Sequence, residues 1–190
     1  MASPADQIRY QTDAMHSLVA GVKDDQWSNP TPCDQWTVRD VVNHLVGGGM
    51  MLAASFRGDM PGIDADSDDL PDMLGNDPVA AVDNTIAEFR AAVAQPGAME
   101  KDVVLPFATL PAPVALNIGK FDILLHCYDI AISTNQPFDP PADVVAECRQ
   151  MAEMLIMPEL RENGPFGTEI TAPSGATPMQ QLAAFSGSAV

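Results

Sequence analysis

Trp36-Thr37-Val38-Arg39-Asp40-Val41-Val42-Asn43-His44-Leu45-Val46 reads as the opening of a helix. Thr37 is placed to cap the first free amides, and Asp40, at the third helical position, closes a capping box. Trp36 before the cap and Val41 after it fit a hydrophobic staple. The pattern predicts a helix running through His44 to about Phe56. Gly47-Gly48-Gly49 interrupts it, at about 1 kcal/mol of helix propensity per glycine. Such a run points to close packing against a neighbour, or to room beside a site.

Far downstream, Asp122-Ile123-Leu124-Leu125-His126 sets a carboxylate and an imidazole four residues apart. That spacing brings both side chains to one helix face. With His44 they form two nitrogens and one carboxylate from two helices, a three-ligand set for a divalent metal that keeps a position open for water or substrate. The chain has three histidines, and two of them are in this set. Imidazole and carboxylate suit zinc, and also nickel, iron or manganese. On spacing alone, a hydrogen-bonded pair on a helix surface is the stronger reading of Asp122 and His126.

Neighbouring residues offer support. Asp129 lies three residues past His126, and Asp40 four before His44. Either could accept the second ring N–H of its histidine, although capping is the stronger reading of Asp40. Asn43 faces either the site or solvent. His16 has no ligand partner at helical spacing and reads as a surface or structural histidine. Cys33, Cys127 and Cys148 are odd in number with no close pair, and buried thiols are expected for all three. The methionines, Met151, Met154 and Met157 among them, read as core filling rather than as soft-metal ligands.

The rest of the chain reads as further helices, with no convincing strand pattern. A first helix is expected from about Pro4 to Asp24, before the Pro-rich loop Asn29–Asp34. Residues 58 to 76 form an acidic loop rich in Asp, Gly and Pro. Asp77-Pro78 starts another helix, with Asp as cap and Pro at the first position, and Gln95-Pro96-Gly97 ends it. A short extended stretch occupies 102 to 113. A fourth helix is expected from about Val114 to Thr134, and a fifth from Asp139-Pro140 to near Glu162, kinked or cut short at Pro158. The tail after Gly164 reads as irregular. The expected fold is all-α, one domain over residues 1–190: a four-helix bundle with an extra helix. Such bundles build metal sites on facing helices.

The chain has 190 residues, 46% hydrophobic and 18% charged, enough for a full core. It needs no oligomer to fold, and a homodimer stays open. The net charge is −17, from 26 acidic and nine basic residues. That leaves no basic surface for nucleic acid or for anionic membranes. No apolar run of about 18 residues occurs, and no signal sequence opens the chain, so a reducing cytoplasm is the expected location.

The stretch from Trp27 to Gly48, with Asn29-Pro-Thr-Pro-Cys33 and Trp36-Thr-Val-Arg-Asp-Val-Val-Asn-His44, closely resembles the N-terminal signature of an actinobacterial family in the DinB/YfiT-like superfamily. Relatives include the metal-binding domain of mycothiol-dependent maleylpyruvate isomerase. Asp122-Ile-Leu-Leu-His-Cys-Tyr-Asp-Ile-Ala131 is similar to a second family segment, Glu-x-x-x-His-x-Trp-Asp-Leu-Ala. Phe107–Pro113 and Phe166-Gly167 also fit. The resemblance implies a DinB-like bundle with a divalent metal, usually zinc or nickel, held by His44, Asp122 and His126. It also implies a small-molecule substrate and a low-molecular-weight thiol, mycothiol first, as partners. Asp122 stands where many relatives have Glu, and Tyr128 where Trp is common. The chain has no room for the isomerase's extra C-terminal domain, which argues against maleylpyruvate isomerisation itself.

The leading expectation is therefore a metal-dependent thiol S-transferase acting on a small electrophile. A non-catalytic metal-binding bundle with a stress or sensing role is the alternative, followed by a metal-assisted hydrolase.

Overall fold

The helix α3 (Val38–Arg57) begins where the sequence places it. Thr37 Oγ1 accepts from the Asp40 amide at 3.3 Å, and the Asp40 carboxylate accepts from the Thr37 amide at 2.9 Å. Its remaining first-turn amides are covered by the preceding segment: Val38 N–H donates to Asn29 O and Arg39 N–H to Trp27 O, both at 3.0 Å. Four unpaired amides at a helix start need such partners. The computed structural model describes residues 3–33, 35–59, 70–162 and 164–190.

Ahead of α3 lie α1 (Pro4–Gln7) and α2 (Arg9–Ala20); after it come α4 (Pro78–Val93), α5 (Ala112–Thr134), α6 (Ala142–Leu155), α7 (Pro158–Glu162) and α8 (Pro178–Ser186). The helices α2, α3, α4 and α5 form the bundle. α3 packs on α4 and α5, and α2 packs on the same two. Two glycines set the approach. A Cβ on Gly49 would stand 2.3 Å from Thr85 Cγ2 on α4, and one on Gly119 of α5 would stand 2.8 Å from Leu52 Cδ1 on α3. Gly49 of the glycine run is thus used for close helix packing.

Several expectations need correction. The first helical stretch breaks at Ile8 and ends at Ala20, not Asp24. The fifth starts at Ala142 and stops at Leu155, and the Pro158 segment is a separate short helix. The extended stretch is a two-stranded antiparallel hairpin, β1 (Asp102–Val104) and β2 (Thr109–Pro111), with Val103 opposite Leu110. The tail is not wholly irregular. It carries α8, started by a further capping box from Thr177 and Gln180. Part of the acidic loop, residues 60–69, lies outside the described residues. Its end is held on α3 by the Arg39–Asp72 ion pair at 2.8 Å and by Arg39 donating to Gly75 O at 3.1 Å.

α5 explains the tail. Leu116, Ile123, Cys127 and Ile130 join the bundle core, whereas Phe121, Leu124, Leu125 and Tyr128 join a second core with Val145, Cys148, Met151, Met179 and Leu182. Successive residues turn by about 100°, so these two sets occupy opposite faces. A helix apolar on both faces must be covered on both, and α6 with α8 supplies the second cover. Asp122, His126 and Asp129 run along the stripe between the two faces. Met154 and Met157, read as core, are exposed instead. No helix among the described residues is long and apolar enough to cross a membrane.

Candidate metal centre

His44 sits two turns into α3 and is buried, at 6% exposure. Facing it across the helix pair, α5 presents Asp122 and His126 on one face. His44 Nε2 lies 3.3 Å from Asp122 Oδ1, and His126 Nε2 lies 3.6 Å from the same oxygen. All three donor atoms fall within 4.8 Å of one another. Donors held tetrahedrally at 2.0–2.2 Å from a zinc-sized ion stand about 3.3–3.6 Å apart. The two histidine–aspartate distances fall in that range, and the donor chemistry, two imidazoles and a carboxylate, fits a divalent metal.

Behind His126, Asp129 is almost fully buried, and its Oδ2 lies 3.0 Å from His126 Nδ1. An imidazole that donates from Nδ1 keeps the Nε2 lone pair free, and here Nε2 points at Asp122. Asp129 is thus placed to accept from the second ring nitrogen of His126. Its second oxygen, Oδ1, is buried with no hydrogen-bond partner among the described residues.

Asp122 is half-buried. Burial pushes its carboxyl up, but the charge of His44, the hydrogen bond with it, and the charge of His126 outweigh burial and hold the group below the usual carboxylate range. The site thus favours the anionic form that a metal needs.

Other sequence candidates lie elsewhere. Asp40 is the α3 cap. The Asn43 amide donates to Pro71 O at 3.0 Å and its oxygen accepts from the Met73 amide at 2.8 Å, so it pins the end of the acidic loop. His16 is exposed and pairs with Asp83 on α4 at 2.6 Å. None of the cysteines is in a disulfide. Cys127 neighbours His126 in sequence but faces the bundle core, where burial and then the charges of Asp129 and Asp122 push its thiol far up. Cys148 is buried too, whereas Cys33 is only half-buried.

One residue of the site was not legible as such. The Trp36 ring stands 4.9 Å from the His44 ring and 5.9 Å from the His126 ring, and the two imidazoles are 4.8 Å apart, edge to face. The sequence marks Trp36 only as a residue before a helix cap.

A four-helix bundle with two histidines and an acid converging from facing helices defines a DinB-like architecture. The chain belongs to the family described as the mycothiol maleylpyruvate isomerase N-terminal domain, which matches residues 8–131. An uncharacterized protein of Mycobacterium tuberculosis strain H37Rv and another of strain CDC 1551 are each 34% identical to it over 179 residues, covering 94% of this chain and 93% of theirs. Among solved structures, the crystal structure of the mycothiol-dependent maleylpyruvate isomerase superposes with a TM-score of 0.58 at 14% identity, over 77% of this chain and 70% of that one. A point mutant of that isomerase gives a TM-score of 0.56 at 13% identity, with the same coverage. At such identities the likeness is one of fold.

Proposed function

We propose that this protein is a divalent-metal-dependent S-transferase that joins a low-molecular-weight thiol to a small electrophile. The observation that carries the reading is the convergence of His44 Nε2, Asp122 Oδ1 and His126 Nε2, with Asp129 fixing the His126 ring from behind. In this reading the three residues hold one ion, with zinc or nickel as the first candidates. The chemistry such an ion supplies, when bound, is acidification of a thiol at neutral pH, which makes the sulfur a better nucleophile.

The chain's own groups do the rest. Three protein donors leave a coordination position for a small molecule. Asp122 gives the site its one negative ligand, and Asp129 keeps His126 in the ligating tautomer. The Trp36 ring covers the two imidazoles on one side. Mycothiol is the first thiol to test, because the related isomerase is mycothiol-dependent. A net charge of −17 offers no attraction to an anionic electrophile, so a neutral one is favoured. A reducing, cytoplasmic setting fits both a thiol substrate and three cysteines outside any disulfide.

The test is metal analysis of protein purified without chelator, followed by conjugation assays with mycothiol, bacillithiol and glutathione over a panel of electrophiles. The reading expects about one ion per chain and a metal-dependent rate that His44→Ala abolishes. Bound metal with no thiol-dependent rate puts a non-catalytic metal-binding bundle in its place.

A further inference from the structure

We infer that Trp36 is a positioning residue of the metal centre: its ring holds the His44 and His126 imidazoles in their ligating orientation. The inference rests on the metal reading above and adds a residue and a segment to it.

The backbone around Trp36 is fixed on both sides. Its N–H donates to Cys33 O at 3.1 Å, and its carbonyl accepts from the Thr31 amide at 3.0 Å and the Thr31 hydroxyl at 2.9 Å. Pro30 and Thr37 pair as an isolated antiparallel bridge. Gln35, just before Trp36, takes a left-handed conformation, with φ of 65°. A non-glycine residue rarely adopts that region, and surrounding structure must hold it there.

The loop is also joined to both helices that carry the site. Its first half covers the α3 amides through Asn29 O and Trp27 O. The Asn29 side chain donates to Ser133 O at 2.8 Å and that of Gln26 to Thr134 O at 2.9 Å, at the last turn of α5. Trp36 is therefore delivered by a segment anchored to α3 and α5 together. Its ring tilts by 45° against His44 and lies at 30° to His126.

An imidazole has two side-chain torsions, and a ligand must point one lone pair at the ion. Asp129 restrains His126 through Nδ1. The indole packs on both imidazoles at once, so it restrains the pair. Groups that orient ligands from outside the coordination sphere change metal affinity by about 10- to 100-fold when removed. The aromatic face also interacts favourably with imidazoles that carry part of the ion's charge.

The experiment measures metal affinity by competition with a chromophoric chelator for wild type, Trp36→Phe and Trp36→Ala, together with the visible absorption of the cobalt(II) forms. The inference expects at least a tenfold weaker affinity for Trp36→Ala with an altered cobalt band, and recovery to within about threefold in Trp36→Phe. Circular dichroism confirms that each variant is folded. A second measurement needs no loss of the ring. Trp27→Phe leaves Trp36 as the sole tryptophan, and its emission should be quenched saturably by nickel(II) at one ion per chain. Wild-type affinity and an unchanged cobalt band in folded Trp36→Ala overturn the inference while leaving the metal reading standing. So does unquenched Trp36 emission in Trp27→Phe protein that binds the ion. Absence of binding by wild-type protein overturns both.

Discussion

His126 Nδ1 and Asp129 Oδ2 face each other at 3.0 Å across one turn of α5, in a place where Asp129 is 1% exposed. The contact fixes which nitrogen of His126 is available to the site.

Asp129→Asn therefore separates affinity from stability. The amide keeps the shape but weakens the acceptor that sets the tautomer, so metal affinity should fall by about 10- to 100-fold. The metal-free protein loses little, because the isosteric amide removes a buried charge and leaves, as before, one buried polar atom without a partner. Isothermal titration with zinc and a thermal melt in chelator check the two halves.

Asp122→Ala removes the one anionic donor of the cluster and should weaken metal binding by tenfold or more. Asp122→Glu keeps the charge on a longer stem and should retain more affinity than the alanine variant. Metal-to-protein ratios after gel filtration, for both variants beside wild type, give the answer.

The buried thiols make stability fall in alkali. Burial pushes the Cys148 thiol from its ordinary 9.0 up to about 11. The folded state thus retains a proton that the unfolded chain gives up. The contribution is complete below pH 9 and is lost as pH rises from 9 through 11, with a slope of at most about 1.4 kcal/mol per pH unit. Urea midpoints should drop over that window, and Cys148→Ala should flatten the drop. The Cys127 thiol, also pushed up, adds the same sign.

Gly49→Ala should destabilise the protein. The new methyl meets Thr85 Cγ2 on α4 at 2.3 Å, on a stiff, buried side chain. Overpacking of about 1–3 kcal/mol exceeds the roughly 1 kcal/mol of helix propensity gained. Thr85→Ala removes the opposing methyl and a buried hydroxyl with no partner. The double variant should then be more stable than Gly49→Ala alone, and denaturant midpoints of the four proteins close the cycle.

The parts of this molecule that could be read from sequence are those set by local rules. The Thr37/Asp40 box starts α3 as read, and the i, i+4 spacing of Asp122 and His126 brings them to one face. His44 was a candidate by its chemistry, and it joins them because the bundle pairs α3 with α5, a contact that no local spacing sets. The hairpin escaped because strands of three residues carry no usable period. The helix α8 escaped although Thr177 and Gln180 form a capping box like that of Thr37 and Asp40, hidden among Gly, Pro, Ser and Thr. A second signal was present in α5, whose apolar residues occupy both faces and so require a second layer. Trp36 could not be placed, since its ring direction depends on the left-handed turn at Gln35 and on contacts with the distant end of α5.

α5 lies between two cores and carries two of the three converging donors. Its amides should be among the last in the protein to exchange with deuterated solvent, opening only when the whole chain unfolds. On the metal reading, an ion arriving at this site would meet scaffolding that is already assembled, unlike a zinc finger, where the metal drives folding. Chelation should then leave the chain folded, and the centre can be emptied and refilled, or exchanged between metals, without a refolding step.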